Sequence, residues 1–194
     1  MAPHSQDGKL ISQIRQGDLR ALGVLYDRYK AQVFRTALAI TRDSSTAEDI
    51  LQESFMRFYA NIDRLDESRP LAPWLYRVVV NLSYNWVTRR GRWLAPLEYA
   101  IDLLRSDPKT SPEKVAERNE LQQIVREALD SINFEHRVVL VLFYLGGFSL
   151  KEVAYILDLP EGTVKSRLHY GRERLRVRLE RDSRMSMGVA YEFS

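Results

Sequence analysis

Apolar residues in this chain recur every three or four positions, and no stretch alternates apolar with polar residues over the length of a strand. That periodicity limits the fold to helices packed on helices. Leu22, Leu25, Tyr26, Tyr29, Val33 and Ala37 mark one amphipathic stripe, and Ala47, Leu51, Phe55 and Phe58 mark a second. Ser45 and Glu48 stand at capping-box spacing where the second helix should begin. A third stripe, Leu75, Val78, Val79, Leu82 and Trp86, belongs to a helix expected from Trp74 to about Arg90, its start bracketed by Pro70 and Pro73.

The pattern then lapses. From Leu94 to about Glu120, around "RSDPKTSPEK", proline, serine and acidic residues replace the period, which reads as a linker. Helices resume near Glu120, and a hydrophobic one stops at Gly146-Gly147. "FSLKEVAYILDLPEGTVKSRL" then reads as helix, tight turn, helix. Ser149 and Glu152 form a second capping box, Thr163 or Glu161 is placed to cap the last helix, and Asp158 stands where such turns often have glycine. The expected fold class is all-α. It comprises two small helical domains, 8–93 and 121–181, joined by a flexible linker, 94–120, with a tail at 182–194; the C-terminal domain is a helix-turn-helix.

Charge is divided unevenly between the two blocks. The net charge is only +3, yet Thr163–Arg181 carries seven Lys/Arg against two Glu, while Arg42–Arg69 carries four Arg against seven Asp/Glu. Such asymmetry points to one anionic and one cationic partner. There is no cysteine, and the three histidines are far apart, so thiolate chemistry is excluded and no metal site or cofactor is implied. The longest apolar run, Val138–Leu145, is too short for a bilayer, and "MAPHSQDGK" lacks the pattern of a secretory signal. The expectation is a soluble cytoplasmic protein with no membrane insertion.

Three outward faces carry chemistry. On the last helix, at about 100° per residue, Val164, Leu168, Gly171 and Leu175 form the buried stripe, and Ser166, His169, Tyr170 and Glu173 lie opposite. Lys165, Arg172 and Arg176 flank that strip on one side, Arg167 and Arg174 on the other. Hydrogen-bonding side chains between two cationic rows suit a groove walled by phosphates. The helix from Trp74 presents Arg77, Asn81, Tyr84, Asn85 and Thr88, with Arg89, Arg90 and Arg92 beyond. Asn pairs with base edges, Tyr stacks on unpaired bases and the arginines meet phosphates. The second helix instead groups Asp49, Gln52, Glu53 and Met56, an acidic face that phosphates would repel and a basic protein would accept. For each face the plain alternative is a solvated helix surface.

"AEDILQESFMRFY", "PWLYRVVVNLSYN" and "SLKEVAYILDLPEGTVKSRLHYGRERLR" occur in that order around a linker, and together they resemble the extracytoplasmic-function (ECF) sigma factors of bacterial RNA polymerase, over roughly Gly8 to Arg181. The resemblance implies regions two and four of that family. Asp49, Gln52, Glu53 and Met56 would meet the clamp helices of the largest polymerase subunit. The loop Asp66–Pro73, with Arg69, and the helix with Trp74, Arg77, Asn81, Tyr84, Asn85, Thr88, Arg89 and Arg90 would take the melted minus-ten element. Thr163, Lys165, Ser166, Arg167, His169, Tyr170, Arg172 and Arg174 would address the duplex minus-thirty-five element. The implied partners are core RNA polymerase, including the beta-subunit flap, promoter DNA and an anti-sigma factor. A helix-turn-helix repressor or response regulator explains the cationic helix and leaves the acidic face unexplained. A nucleic-acid enzyme would need a carboxylate cluster or metal site, and none is discernible, so no catalytic activity is expected.

Overall fold

A computed structural model describes residues 3–89, 124, 127–129 and 131–182, and among them regular structure is entirely helical. Arg90, Arg92, the whole of the expected linker 94–120 and the tail beyond Asp182 lie outside the described residues. The chain divides into two compact units, one built mainly from residues up to 96 and one mainly from those after.

The first unit holds α1 (Pro3–Arg15), α2 (Leu19–Thr41), α3 (Ser44–Ala60) and α4 (Leu71–Arg89). Leu25, Val33 and Ile40 of α2, Phe58 of α3, and Leu75, Tyr76 and Val79 of α4 are fully buried together with Ile11 of α1. Each helix start has a local cause. Asp18 caps α2 by accepting from the Arg20 N–H at 2.9 Å, and Asp43 caps α3 by accepting from the Thr46 N–H at 2.6 Å. The capping box expected from Ser45 and Glu48 is therefore displaced. Asp43 satisfies the orphan amide, and both Ser45 and Glu48 face solvent. Between α2 and α3, Arg42 takes the left-handed conformation (φ 63°) and returns its N–H to Leu38 O at 2.8 Å.

Two stripes shift from expectation. α4 begins at Leu71 rather than Trp74, which places Pro73 in the first turn where its missing N–H costs nothing. α4 packs on both α2 and α3. Its buried face is accordingly broader and rotated, taking in Tyr76, Val80 and Ser83, while Val78, Leu82 and Trp86 are half-exposed. Ser83 enters the core because its hydroxyl donates to Val79 O at 2.8 Å. On α2, Tyr26 and Leu22 lie at the edge of the core instead of within it.

Ahead of the boundary expected at Gly8, α1 carries a buried carboxylate. Asp7 is 2% exposed and accepts from the Arg28 guanidinium and from Tyr29 OH at 2.5 Å, both on α2. Burial, then Asp7 itself, pushes the Tyr29 phenol well above its ordinary range, so it stays protonated and donating.

In the second unit, α5 (Phe134–Leu140) is capped by Asn133, whose side chain accepts from the His136 N–H at 3.2 Å. It widens into π-type turns over Val141–Leu145, closed by the Gly146 N–H on Val141 O at 2.9 Å, and Gly147 (φ 70°) ends it. α6 (Leu150–Leu157) opens with the expected reciprocal box. The Ser149 N–H donates to the Glu152 carboxylate at 2.8 Å, and the Glu152 N–H to Ser149 Oγ at 3.3 Å. Asp158 takes φ 56° in the turn, the conformation for which glycine is usual. α7 (Glu161–Glu180) is entered from Pro160, with no side-chain cap from Thr163 or Glu161. The N–H groups of Thr163 and Val164 are taken by Pro160 O at 2.9 and 3.1 Å. Val164, Leu168, Gly171 and Leu175 form the buried stripe as expected, extended by Leu179. Gly171 is where α7 crosses α5: an added Cβ would stand 3.2 Å from the Leu140 side chain.

Candidate functional site

On α3 the expected acidic face is realised. Asp49 and Gln52 are exposed, Glu53 is half-exposed and paired with Arg57 at 2.7 Å, and Met56 is 58% exposed. Alongside it runs an open groove of about 790 Å³ between α2 and α3, floored by Leu22, Leu51 and Phe55 and edged by Leu19, Met56 and Tyr59. Tyr26 stands edge-on to Phe55, with ring centroids 4.9 Å apart. The sequence reading missed this groove, because Leu22 and Tyr26 share the helical period of the core and nothing in the spacing marks them as its rim. Leu19, one residue after the Asp18 cap, is 62% exposed at the edge of the groove.

The loop before α4 is built on one carboxylate. Asp66 accepts from Ser68 N–H at 3.0 Å and Ser68 Oγ at 2.5 Å, and pairs with Arg69 at 3.1 Å. The Ser68 hydroxyl, more than any other group, holds the Asp66 carboxyl below its usual range. Arg69 is largely exposed. On α4, Asn81, Tyr84, Asn85, Thr88 and Arg89 face solvent together, and Arg77 is half-exposed. Tyr84 is 52% exposed, whereas the Thr88 hydroxyl is turned back onto Tyr84 O at 2.9 Å. Trp74 is half-buried against Phe58, with centroids 6.3 Å apart, so it sits at the inner end of the strip.

On α7, Lys165, Ser166, His169, Tyr170 and Arg174 are exposed. Thr163 is half-buried at the first turn, and Ser166 Oγ donates to its carbonyl at 3.0 Å. The flanks are less open than a helical wheel implies. Arg167 is held by Glu135 of α5 at 2.7 Å, and Arg172 lies 5.4 Å from the ring centroids of both Phe143 and Tyr144. Arg176 bridges Glu173 and Glu180 at 2.6 and 3.0 Å. Beneath the helix, burial and then Arg174 and Arg167 lower the His136 pKa.

The described residues thus form two helical units, one with an acidic helix face on α3 and one with a cationic strip on α7. Residues 25–92 match the family model of sigma-70 region 2, and residues 128–177 that of sigma-70 region 4. The chain is 32% identical over 183 residues to the ECF RNA polymerase sigma factor SigW of Bacillus subtilis (88% of this chain, 95% of that one). It is 30% identical over 184 residues to the ECF RNA polymerase sigma-E factor of Escherichia coli K12 (89% and 94%). CnrH, solved in complex with the cytosolic domain of CnrY, superposes with a TM-score of 0.70 at 26% identity, over 92% of this chain and 99% of that one. The sigma factor RpoE of Bartonella quintana, solved with the anti-sigma factor NepR, shares the fold at a TM-score of 0.61 and 22% identity, over 88% and 98%. The chain belongs to the ECF family of RNA polymerase sigma factors. Among the described residues no helix is long and apolar enough to cross a membrane.

Proposed function

We propose that this chain acts in the cytoplasm as a bridge between core RNA polymerase and a promoter, with no chemistry of its own. Asp49, Gln52, Glu53 and Met56 dock on the clamp helices of the largest subunit, and the groove beside them receives apolar side chains of the same partner. The 66–73 loop with Arg69, the α4 strip from Arg77 to Arg89, and Arg90 next in sequence take the melted minus-ten strand, with Trp74 at the inner end of the strip. On α7, Ser166, His169 and Tyr170 face the minus-thirty-five bases, while Thr163, Lys165 and Arg174 meet the phosphate walls. Arg167 and Arg172 reach DNA only by leaving Glu135 and the Phe143–Tyr144 rings, so their first role is to brace α7. The second unit also meets the beta-subunit flap. We further infer control by an anti-sigma factor, since RpoE of Bartonella quintana, which shares this fold, was solved with an anti-sigma factor bound. The domain limits 8–93, 94–120 and 121–181 belong to the same proposal.

The observation that carries the reading is the pairing of opposite charge with opposite unit: an exposed carboxylate face on α3 and an exposed cationic strip on α7. Its test is charge reversal. Asp49→Lys with Glu53→Lys should weaken holoenzyme formation at least about tenfold, by desolvated like charge. The melting temperature should hardly move, since surface changes rarely alter stability by more than about 0.5 kcal/mol. Unchanged affinity for core polymerase in a titration defeats the reading.

A further inference from the structure

We infer that Arg15, at the end of α1, is a positioning residue for residues 62–69, a 3-10 turn (Ile62–Arg64) that runs into the 66–73 loop, and through that loop for the choice of minus-ten bases. The inference rests on the proposed role of that loop in taking the melted strand. The guanidinium fork of Arg15 is spent largely on the backbone of this stretch. Its Nε donates to Ile62 O at 3.0 Å, one terminal nitrogen donates to Leu65 O, and the other lies 3.6 Å from the Glu67 carboxylate. A planar guanidinium that engages two carbonyls and a carboxylate at once fixes orientation as well as distance.

Two independent contacts show that α1 is seated for this purpose. Gly8 lies against Glu67 so closely that an added Cβ would overlap the Glu67 carbonyl oxygen. Glycine in mid-helix is locally unfavourable, and here the close approach accounts for it. On an adjoining face of α1, the buried Asp7 ties the helix to Arg28 and Tyr29 of α2. The loop is thus held from below by α1 and from within by the Asp66 turn, which fixes Ser68 and Arg69. Removing Arg15 would leave the Asp66 turn intact but free to move as a body relative to α4.

The experiment uses the full chain with core polymerase, on promoters pre-melted over the minus-ten element and varied one base at a time. Arg15→Gln should lower discrimination between the preferred and substituted bases by about fivefold, what the loss of one net hydrogen bond corresponds to. It should speed amide hydrogen exchange at residues 64–69 of the free protein and leave core-polymerase affinity unchanged. Arg15→Lys keeps the charge toward Glu67 but cannot span both carbonyls, and should fall between. If activity drops equally on every base variant, in step with lost core binding, Arg15 is only a brace of the fold and the inference is overturned. If discrimination persists in Arg15→Gln but collapses in Asp66→Ala, the loop reads DNA and Arg15 does not position it. If Asp66→Ala also leaves discrimination unchanged, the loop reading itself fails and takes this inference with it.

Discussion

α4 and α7 each turn a polar strip to solvent, but they are made differently. The strip on α4 is uncharged from Asn81 to Thr88, with a cation at each end, Arg77 and Arg89, and with Tyr84 exposed between them. The strip on α7 is set among cations, and part of that charge is already committed. Glu135 holds Arg167, two aromatic rings hold Arg172, and two glutamates hold Arg176. A largely uncharged strip with an exposed tyrosine offers little to a duplex backbone and much to an unpaired base, whereas a cationic strip suits the walls of a groove. The contrast also shows that a cation on the flank of a helical wheel is not thereby available. Its neighbours on other helices decide.

The sharpest way to break the contrast is Tyr84→Ala. Base stacking is worth about 1–3 kcal/mol, so holoenzyme affinity for a single-stranded minus-ten oligonucleotide should fall about 5- to 150-fold. Binding to an upstream duplex fragment should be unchanged. Equal losses on both would mean that α4 and α7 are not specialised. A smaller effect separates two arginines of α7. Arg174→Ala should weaken binding to all upstream sequences alike and reduce the salt slope by about one phosphate, with the melting temperature unmoved. Arg172→Ala should instead cost about 1 kcal/mol of stability through its lost ring contacts, visible as a lower melting temperature, with little change in the salt slope.

The smallest expected effect is a pH dependence confined to the second unit. His136 faces Arg174 and Arg167, with Glu135 opposing them and the Tyr170 ring 6.4 Å away. Burial first, and the two arginines next, hold its folded pKa below the ordinary value of about 6.5. Above that value His136 is neutral in both folded and unfolded chains, and its contribution is fully present. As pH falls through and below it, the unfolded chain takes up the proton first, and stability is lost. The melting temperature should therefore drop between pH 7.5 and 5.5, and His136→Gln should remove that part of the drop. An identical drop in the variant would show that the arginines do not govern this histidine.

The sequence carried the helices, the divided charge and the buried stripe of α7 because each is a local or periodic property. Val164, Leu168, Gly171 and Leu175 obey one period and meet one surface. Where a helix meets two surfaces the period misleads: α4 packs on both α2 and α3, so Tyr76, Val80 and Ser83 are buried and Val78, Leu82 and Trp86 are not. Cap positions failed for a related reason. Several polar residues precede α3, and only the backbone angle at Asp43 (φ −136°) selects it over Ser45. The outward residues on α3, Asp49, Gln52, Glu53 and Met56, were legible, but the groove beside them depends on how α2 lies against α3. Arg15 was illegible altogether, since its acceptors are backbone carbonyls some fifty positions along the chain.

The π-type turns at Val141–Leu145 bear on which changes of length this chain tolerates. A π-type turn holds one residue more than an α-turn, so the stretch accommodates an extra residue without a loop. Its effect is to present Phe143 and Tyr144 together to Arg172. Deleting one residue here would restore an ordinary helix with no gap to close, yet would rotate the following side chains by about 100° and carry one of the two rings away from the guanidinium. Homologues that lack this residue should therefore also lack arginine at the position of Arg172, and the two changes should have been gained or lost together.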